Sequence, residues 1–153
     1  MPDDNKSIYD YANQINNDCL TYYDVFKTLL KDVDCVICLE SAADLLGFSN
    51  GGFRSQIKIY VESNIDKPYL NCILVDKLEN IPYEDYQGLK VSSINDAIID
   101  MLSRKNTDDQ ILYESFANYY YENGCSYDGL EIPKSLVRKA KKYKEEGVNF
   151  YES

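Results

Sequence analysis

Cys35 and Cys38, three residues apart, are the closest pair of chemically reactive side chains in the sequence. Such a pair serves zinc or dithiol chemistry only when both sulfurs converge on one side of the chain, and zinc needs a second pair of soft ligands. Histidine is absent, so that second pair would have to come from Cys19, Cys72 and Cys125, none of which is paired in sequence. The run Asp34-Cys35-Val36-Ile37-Cys38-Leu39 has the pattern of a β-strand, without the glycine or proline of a zinc knuckle. On a strand, residues three apart point to opposite faces. Small apolar core cysteines are therefore the better reading. An odd total of five argues against a disulfide framework. The lack of histidine also removes Ser-His-Asp and Cys-His nucleophiles, histidine-ligated metals and the commonest general base.

Acids could in principle supply a metal-dependent nuclease, which wants two or three converging carboxylates and a lysine. Glu62, Asp76 and Lys77 fall near strand ends, where such groups are placed. Asp76 and Lys77 are adjacent, however, and would diverge on a continuing strand. Ser49-Asn50-Gly51-Gly52-Phe53-Arg54 lacks the lysine and the strand-to-helix setting of a phosphate loop and reads as a turn. No metal and no cofactor is expected.

Charge is more informative. The chain has 153 residues with 16 basic and 26 acidic side chains, a formal −10. Lys134, Arg138, Lys139, Lys141, Lys142 and Lys144 place six of the 16 cations in eleven residues that hold no acid. The rest carries 10 cations against 26 acids, a formal −16. Such a surface repels nucleic acid, so direct DNA binding is not expected. A helix this basic is either a solvated face suited to its C-terminal dipole or a docking face for an acidic partner. Tyrosine is the unusual residue type, with 15 copies and no tryptophan. Consecutive aromatics in Tyr119-Tyr120-Tyr121 cannot all face a core, so Tyr121 should be partly exposed, as tyrosines at protein interfaces are. Exposed tyrosines are also compatible with a homodimer.

The elements that must hold these residues are legible as periodicity and caps. Ser7-x-x-Asp10 and Thr21-x-x-Asp24 start two helices, with Tyr11, Ala12 and Ile15 on the inner stripe of the first. In the second the stripe is Val25, Phe26, Leu29 and Leu30. A strand at Cys35–Leu39 precedes a short helix from Ser41 to Leu46, which Gly47 can close in a left-handed conformation. Gln56–Glu62 alternates like a half-buried strand, whereas the continuous apolar run Leu70–Val75 suggests a more central one. Glu79–Gln87 reads as a loop. Ser93 starts a helix with the stripe Ile94, Ala97, Ile98, Met101 and Leu102. Thr107-x-x-Gln110 opens another, with Ile111, Leu112, Phe116, Tyr119 and Tyr120 inward. A last helix runs from near Pro133 to Glu146, stopped by Gly147, with Leu136, Val137, Ala140 and Tyr143 buried. The fold class is α+β: a small mixed β-sheet in the middle of the chain, flanked by helices, with a helical C-terminal third. The length suits one domain over 1–153, with 1–33 an N-terminal helical segment, 34–145 the main body and 146–153 a tail. Apolar runs are too short to span a bilayer, and the first residues lack the features of a signal peptide, so a cytoplasmic protein is expected.

The order of segments resembles the C-terminal domain of AbiEi-family antitoxins, from type IV toxin–antitoxin and abortive-infection systems. Glu40-Ser41-Ala42-Ala43-Asp44-Leu45-Leu46-Gly47-Phe48 is similar to that family's Ser/Thr–Ala–Leu helix, with Leu46 where the family often has histidine. Ile57–Val61 is similar to its next strand. Gly88-Leu89-Lys90-Val91-Ser92-Ser93 through Leu102 is similar to the stretch that follows, with Asp100 matching the family's acid and Asp96-Ala97 replacing its Arg-Thr. The resemblance spans roughly 35–145 and implies that Ser41, Gly47, Gly88, Ser93 and Asp100 are structural positions. Family members usually begin with a winged helix-turn-helix, and the segment before residue 35 is too short for one. The resemblance thus implies a non-enzymatic domain that counters a nucleotidyltransferase-type toxin, with or without a stable complex. The expected partner-binding residues are Lys134, Arg138, Lys139, Lys141, Lys142 and Tyr121. The alternative is an acidic phage or mobile-element protein that occupies the basic groove of a nucleic-acid-handling defence protein as a DNA mimic. Its acids would be those at 3, 4, 10, 18 and 24 and within Glu79–Asp85.

Overall fold

The computed structural model describes residues 7–17, 21–50 and 56–152. Asp3, Asp4, Asp18, Cys19 and most of the expected Ser49–Arg54 turn lie outside the described residues. Both N-terminal caps form as complete capping boxes. The Asp10 N–H donates to the Ser7 hydroxyl at 3.1 Å and the Ser7 N–H to the Asp10 carboxylate, opening α1 (Ile8–Ile15). Thr21 and Asp24 repeat the arrangement at α2 (Tyr22–Leu29). Val25, Phe26, Leu29 and Leu30 are buried as expected, but on α1 the buried line is Ile8 and Ala12. Ile15 is 58% exposed, because the helix ends there and Asn16 turns extended, leaving the last turn without a surface to cover.

The expected strand at Cys35–Leu39 is shorter: β1 is Val36–Ile37. Leu39 adopts a left-handed φ of +53° and turns the chain directly into α3 (Leu39–Leu45). The helix therefore begins two residues before Ser41, with Cys38 at the cap and no side-chain bond there. Gly47 follows it with φ +85°, as read from the sequence. The remaining strands are β2 (Ile57–Val61), β3 (Leu70–Leu74), β4 (Glu84–Tyr86) and β5 (Leu89–Val91), ordered β3-β2-β1-β5-β4 in one mixed sheet. β1 is central, antiparallel to β2 and parallel to β5, pairing Ile37 with Ile59 and with Val91. β2 and β3 are parallel in the register Ile57–Leu70 through Val61–Leu74.

Two expectations about strands are corrected. The apolar run at 70–75 forms an edge strand, not a central one. An apolar run reports covered faces, not the number of paired neighbours. Leu70 and Cys72 lie against one cluster of buried side chains, together with Ile65 and Tyr69 of the connection, while Ile73 lies against the other. The supposed loop Glu79–Gln87 contains a 3₁₀ turn, Leu78–Asn80, and then β4. β4 and β5 form a hairpin across Gln87 and Gly88, whose φ values of +51° and +93° are those of a two-residue type I′ turn. Two exposed acids, Glu84 and Asp85, hid this strand, and they also suit an edge that must not pair with another chain.

Alternation on β2 divides the core. Ile57, Ile59 and Val61 pack with Ile8, Val25, Phe26 and Val91 on one side of the sheet. On the other, Tyr60 and Ile73 meet α4 (Ile94–Leu102), α5 (Asp109–Glu122) and α6 (Val137–Glu152), around Ile98, Met101, Leu112 and Phe116. Ser93 caps α4, accepting from the Asp96 N–H at 3.1 Å. The cap of α5 is Asp108, one residue after the expected Thr107, whose hydroxyl instead donates to the Met101 carbonyl at 2.9 Å. A 3₁₀ turn, Lys134–Leu136, leads into α6, which continues through Gly147 instead of stopping there. A Cβ at Gly147 would lie 3.0 Å from the Tyr113 carbonyl oxygen, so the glycine allows close helix contact and does not end the helix.

Candidate functional site

The six cations of the basic segment have different surroundings. Lys139 Nζ donates to the Leu102 carbonyl at 2.7 Å and the Arg104 carbonyl at 3.1 Å, closing the C-terminus of α4. A lysine at a helix C-terminus satisfies orphan carbonyls and meets the negative end of the dipole, so Lys139 holds two elements together. Lys142 lies over the rings of Tyr113 and Tyr143, at 5.9 and 5.4 Å, and Lys144 over Tyr127 at 5.3 Å. Lys141 stands 4.0 Å from Glu145 one turn on, an exposed pair of about 0.3–0.5 kcal/mol. Lys134 and Arg138 form no ion pair with any described residue. Between them is Val137, expected to be buried but 53% exposed. Val137, Arg138 and Lys141 share the i, i+1, i+4 face that points away from Ala140 and Tyr143, the buried side of α6, and Lys134 is exposed in the 3₁₀ turn just before it.

Tyr121 is exposed, as expected, but it does not join this face. Contacts between α5 and α6 advance in step. The Tyr143 hydroxyl donates to the Asp109 carboxylate, Tyr113 meets the Tyr143 ring and donates to Glu146, and Gly147 lies against Phe116 and Ala117. The two helices therefore run in the same direction, which puts Tyr121 near the far end of the pair from Lys134 and Arg138.

The positions singled out by the family resemblance have local structural roles. The Ser41 hydroxyl is fully buried and accepts the Lys58 N–H at 2.8 Å, pinning α3 to β2. Gly88 occupies the left-handed corner of the β4–β5 turn, with Lys27 Nζ 3.2 Å from where a Cβ would sit. Asp100 accepts the Tyr60 hydroxyl at 2.8 Å. Burial raises the Asp100 carboxyl above its usual range, with the Tyr60 hydrogen bond opposing, and burial likewise raises the Tyr60 phenol.

Beside Asp100 is a cleft that sequence spacing did not reveal. About 210 Å³ in volume, it is lined by Glu40, Lys58, Arg104, Lys105, Asn106 and Thr107. Glu40 is almost fully buried and forms an ion pair with Lys58, the polar-side neighbour of Tyr60 on β2. The only hint in the sequence was the polar phase of the β2 alternation, since the six residues come from three separate segments.

Cys35 and Cys38 match the reading of core cysteines, whereas Cys72 is half-buried and Cys125 exposed. Cys35 and Cys38 are buried in different clusters, on opposite sides of the sheet. Burial pushes the Cys35 thiol up to about 12 and Cys38 higher still, so neither is a thiolate at neutral pH. Glu62 accepts the Leu78 N–H at 3.2 Å, capping the 3₁₀ turn. Among the described residues no three His, Cys, Asp or Glu side chains are grouped as a metal site, and no helix is long and apolar enough to cross a membrane. Comparison with protein families, curated proteins and solved structures finds no match for this chain.

Proposed function

We propose that the chain is a non-enzymatic, antitoxin-like binding domain that acts in the cytoplasm and counters a nucleotidyltransferase-type toxin, the partner class implied by the AbiEi resemblance. The docking face is the outer side of the first turns of α6 together with Lys134 of the 3₁₀ turn before it, and it fits an acidic surface. The supporting observation is the pairing state of its cations: in a chain of net charge −10, Lys134 and Arg138 flank an exposed valine without any ion pair among the described residues. An apolar contact ringed by unpaired charge of one sign gives both affinity and orientation to a complementary partner. Lys139 and Lys142 are left out of the docking set, because their charges are engaged within the fold. The test is Lys134→Glu, Arg138→Glu and Lys141→Glu together, assayed by growth rescue from the partner toxin. Rescue should fall by about tenfold or more, since each reversed charge turns attraction into repulsion; undiminished rescue refutes the docking face.

The exposure of Glu79, Glu84 and Asp85 favours a second reading, the acidic mimic of nucleic acid. Of the other acids assigned to it, Asp10 and Asp24 are engaged in capping boxes. Under this reading Glu84→Lys with Asp85→Lys abolishes inhibition of a basic partner and the α6 triple variant leaves it intact.

A further inference from the structure

The cleft beside α4 concentrates positive charge in a protein that has little to spare. Lys58 forms its floor with Glu40, and Arg104 and Lys105 form its wall, without an ion pair to any described residue. Lys139, bonded to the Leu102 and Arg104 carbonyls, fixes the backbone from which Arg104 and Lys105 extend. The one carboxylate in the lining is Glu40, paired with Lys58; Asp100 lies outside the lining, where it accepts the Tyr60 hydroxyl. The lining holds three cations and one carboxylate, a local excess of two positive charges. Like charges gathered in this way repel one another unless an anion joins them. The volume, about 210 Å³, is below the roughly 300–1,000 Å³ of pockets that enclose a whole small molecule, so it suits a single anionic head group.

We propose that this cleft binds a phosphate group, presented either as inorganic phosphate or as the terminal group of a small phosphate ester. A phosphate near pH 7 carries about −1.5 to −2 charge, which matches the local excess, whereas a carboxylate neutralises only half of it. Arg104 supplies the planar fork that suits two phosphate oxygens, Lys58 and Lys105 act as point charges, and the Asn106 amide is an additional donor. Glu40 is a positioning residue, holding the Lys58 ammonium at the floor of the cleft.

The site does not rest on the docking reading, and different variants test the two. The full chain is titrated with inorganic phosphate by calorimetry and amide NMR at low, constant ionic strength, with chloride as the control anion. Saturable binding is expected, with shifts centred on Lys58 and 104–107. In the Arg104→Ala/Lys105→Ala variant, with its fold checked by circular dichroism, affinity should fall by about tenfold or more as two charge-assisted contacts are lost. The α6 triple variant should keep its affinity within about twofold, because its side chains do not line the cleft. Adenosine monophosphate in place of phosphate identifies the source: tighter binding means an ester, equal or weaker binding the free anion. No saturation by either ligand, an equal response to chloride, or unchanged affinity in the Arg104/Lys105 variant overturns the proposal.

Discussion

At the scale of residues, local chemistry was read from the sequence where both partners lie within one turn, and missed where they do not. Ser7 with Asp10, Thr21 with Asp24, and Ser93 with Asp96 are three apart, and each pair forms its cap. Lys139 looked like its neighbours on the basic helix, yet its partners are carbonyls at Leu102 and Arg104, more than thirty positions earlier. Ser115 presents the converse case. Its hydroxyl is fully buried on α5 with no hydrogen-bond partner among the described residues. A buried unpaired hydroxyl costs on the order of 1 kcal/mol or more. Ser115→Ala should therefore raise the urea unfolding free energy by about 0.5–1 kcal/mol, since it removes that penalty and opens almost no cavity. A loss of stability would mean that the hydroxyl has a partner.

At the scale of elements, the difficult cases were residues whose usual meaning depends on what lies beside them. Gly147 has the sequence appearance of a helix stop, but it lies within α6, where its missing side chain admits the Tyr113 carbonyl. Gly147→Ala sets two effects against each other. Alanine favours the helix by about 1 kcal/mol, whereas a Cβ 3.0 Å from a backbone oxygen forces α5 and α6 apart. Backbone cannot rotate away as a flexible side chain can, so the steric effect should win by about 1 kcal/mol, lowering Tm by a few degrees in a thermal melt. A higher Tm would show that the helix pair separates easily. In the same way, Glu84 and Asp85 resembled loop residues because their strand is an exposed edge with one partner.

At the scale of the whole molecule, the sheet separates two apolar clusters, and tyrosines are set into both margins with their hydroxyls bonded to distant groups. Tyr23 reaches the Gln87 carbonyl, Tyr127 the Lys144 carbonyl and Tyr60 the Asp100 carboxylate. Burial pushes the Tyr127 phenol up to about 12, as it does the Cys35 thiol, and raises Tyr60 and Tyr143 too. An unfolded chain gives up these protons near the ordinary values of 9 and 10, while the folded protein keeps them. Their contribution to stability is thus complete below about pH 9 and is lost progressively as pH rises toward 12. Urea unfolding at pH 8, 10 and 11 should give steadily decreasing free energies, with the share of tyrosinate absorbance owed to Tyr60, Tyr127 and Tyr143 rising only as the fold is lost. A flat profile would show that these groups ionise equally well in the folded state.

The sequence alone determined what depends on spacing within one element: the two capping boxes and the Ser93 cap, the buried lines of α2 and α4, the alternation of β2, the left-handed glycine after α3, and the α+β order of the segments. These follow because cap geometry and side-chain periodicity are fixed by the local backbone. The tertiary structure decided which strand lies at the edge, that α5 and α6 run in the same direction, and that Lys139 is engaged while Lys134 and Arg138 form no ion pair among the described residues. It also assembled the Glu40, Lys58 and Arg104 cleft from three separate segments. The physical reason is the same in each case. Hydrogen bonds and charges act over a few ångströms, so their partners are set by which elements pack together, and apolar periodicity specifies that a face is buried without specifying what buries it.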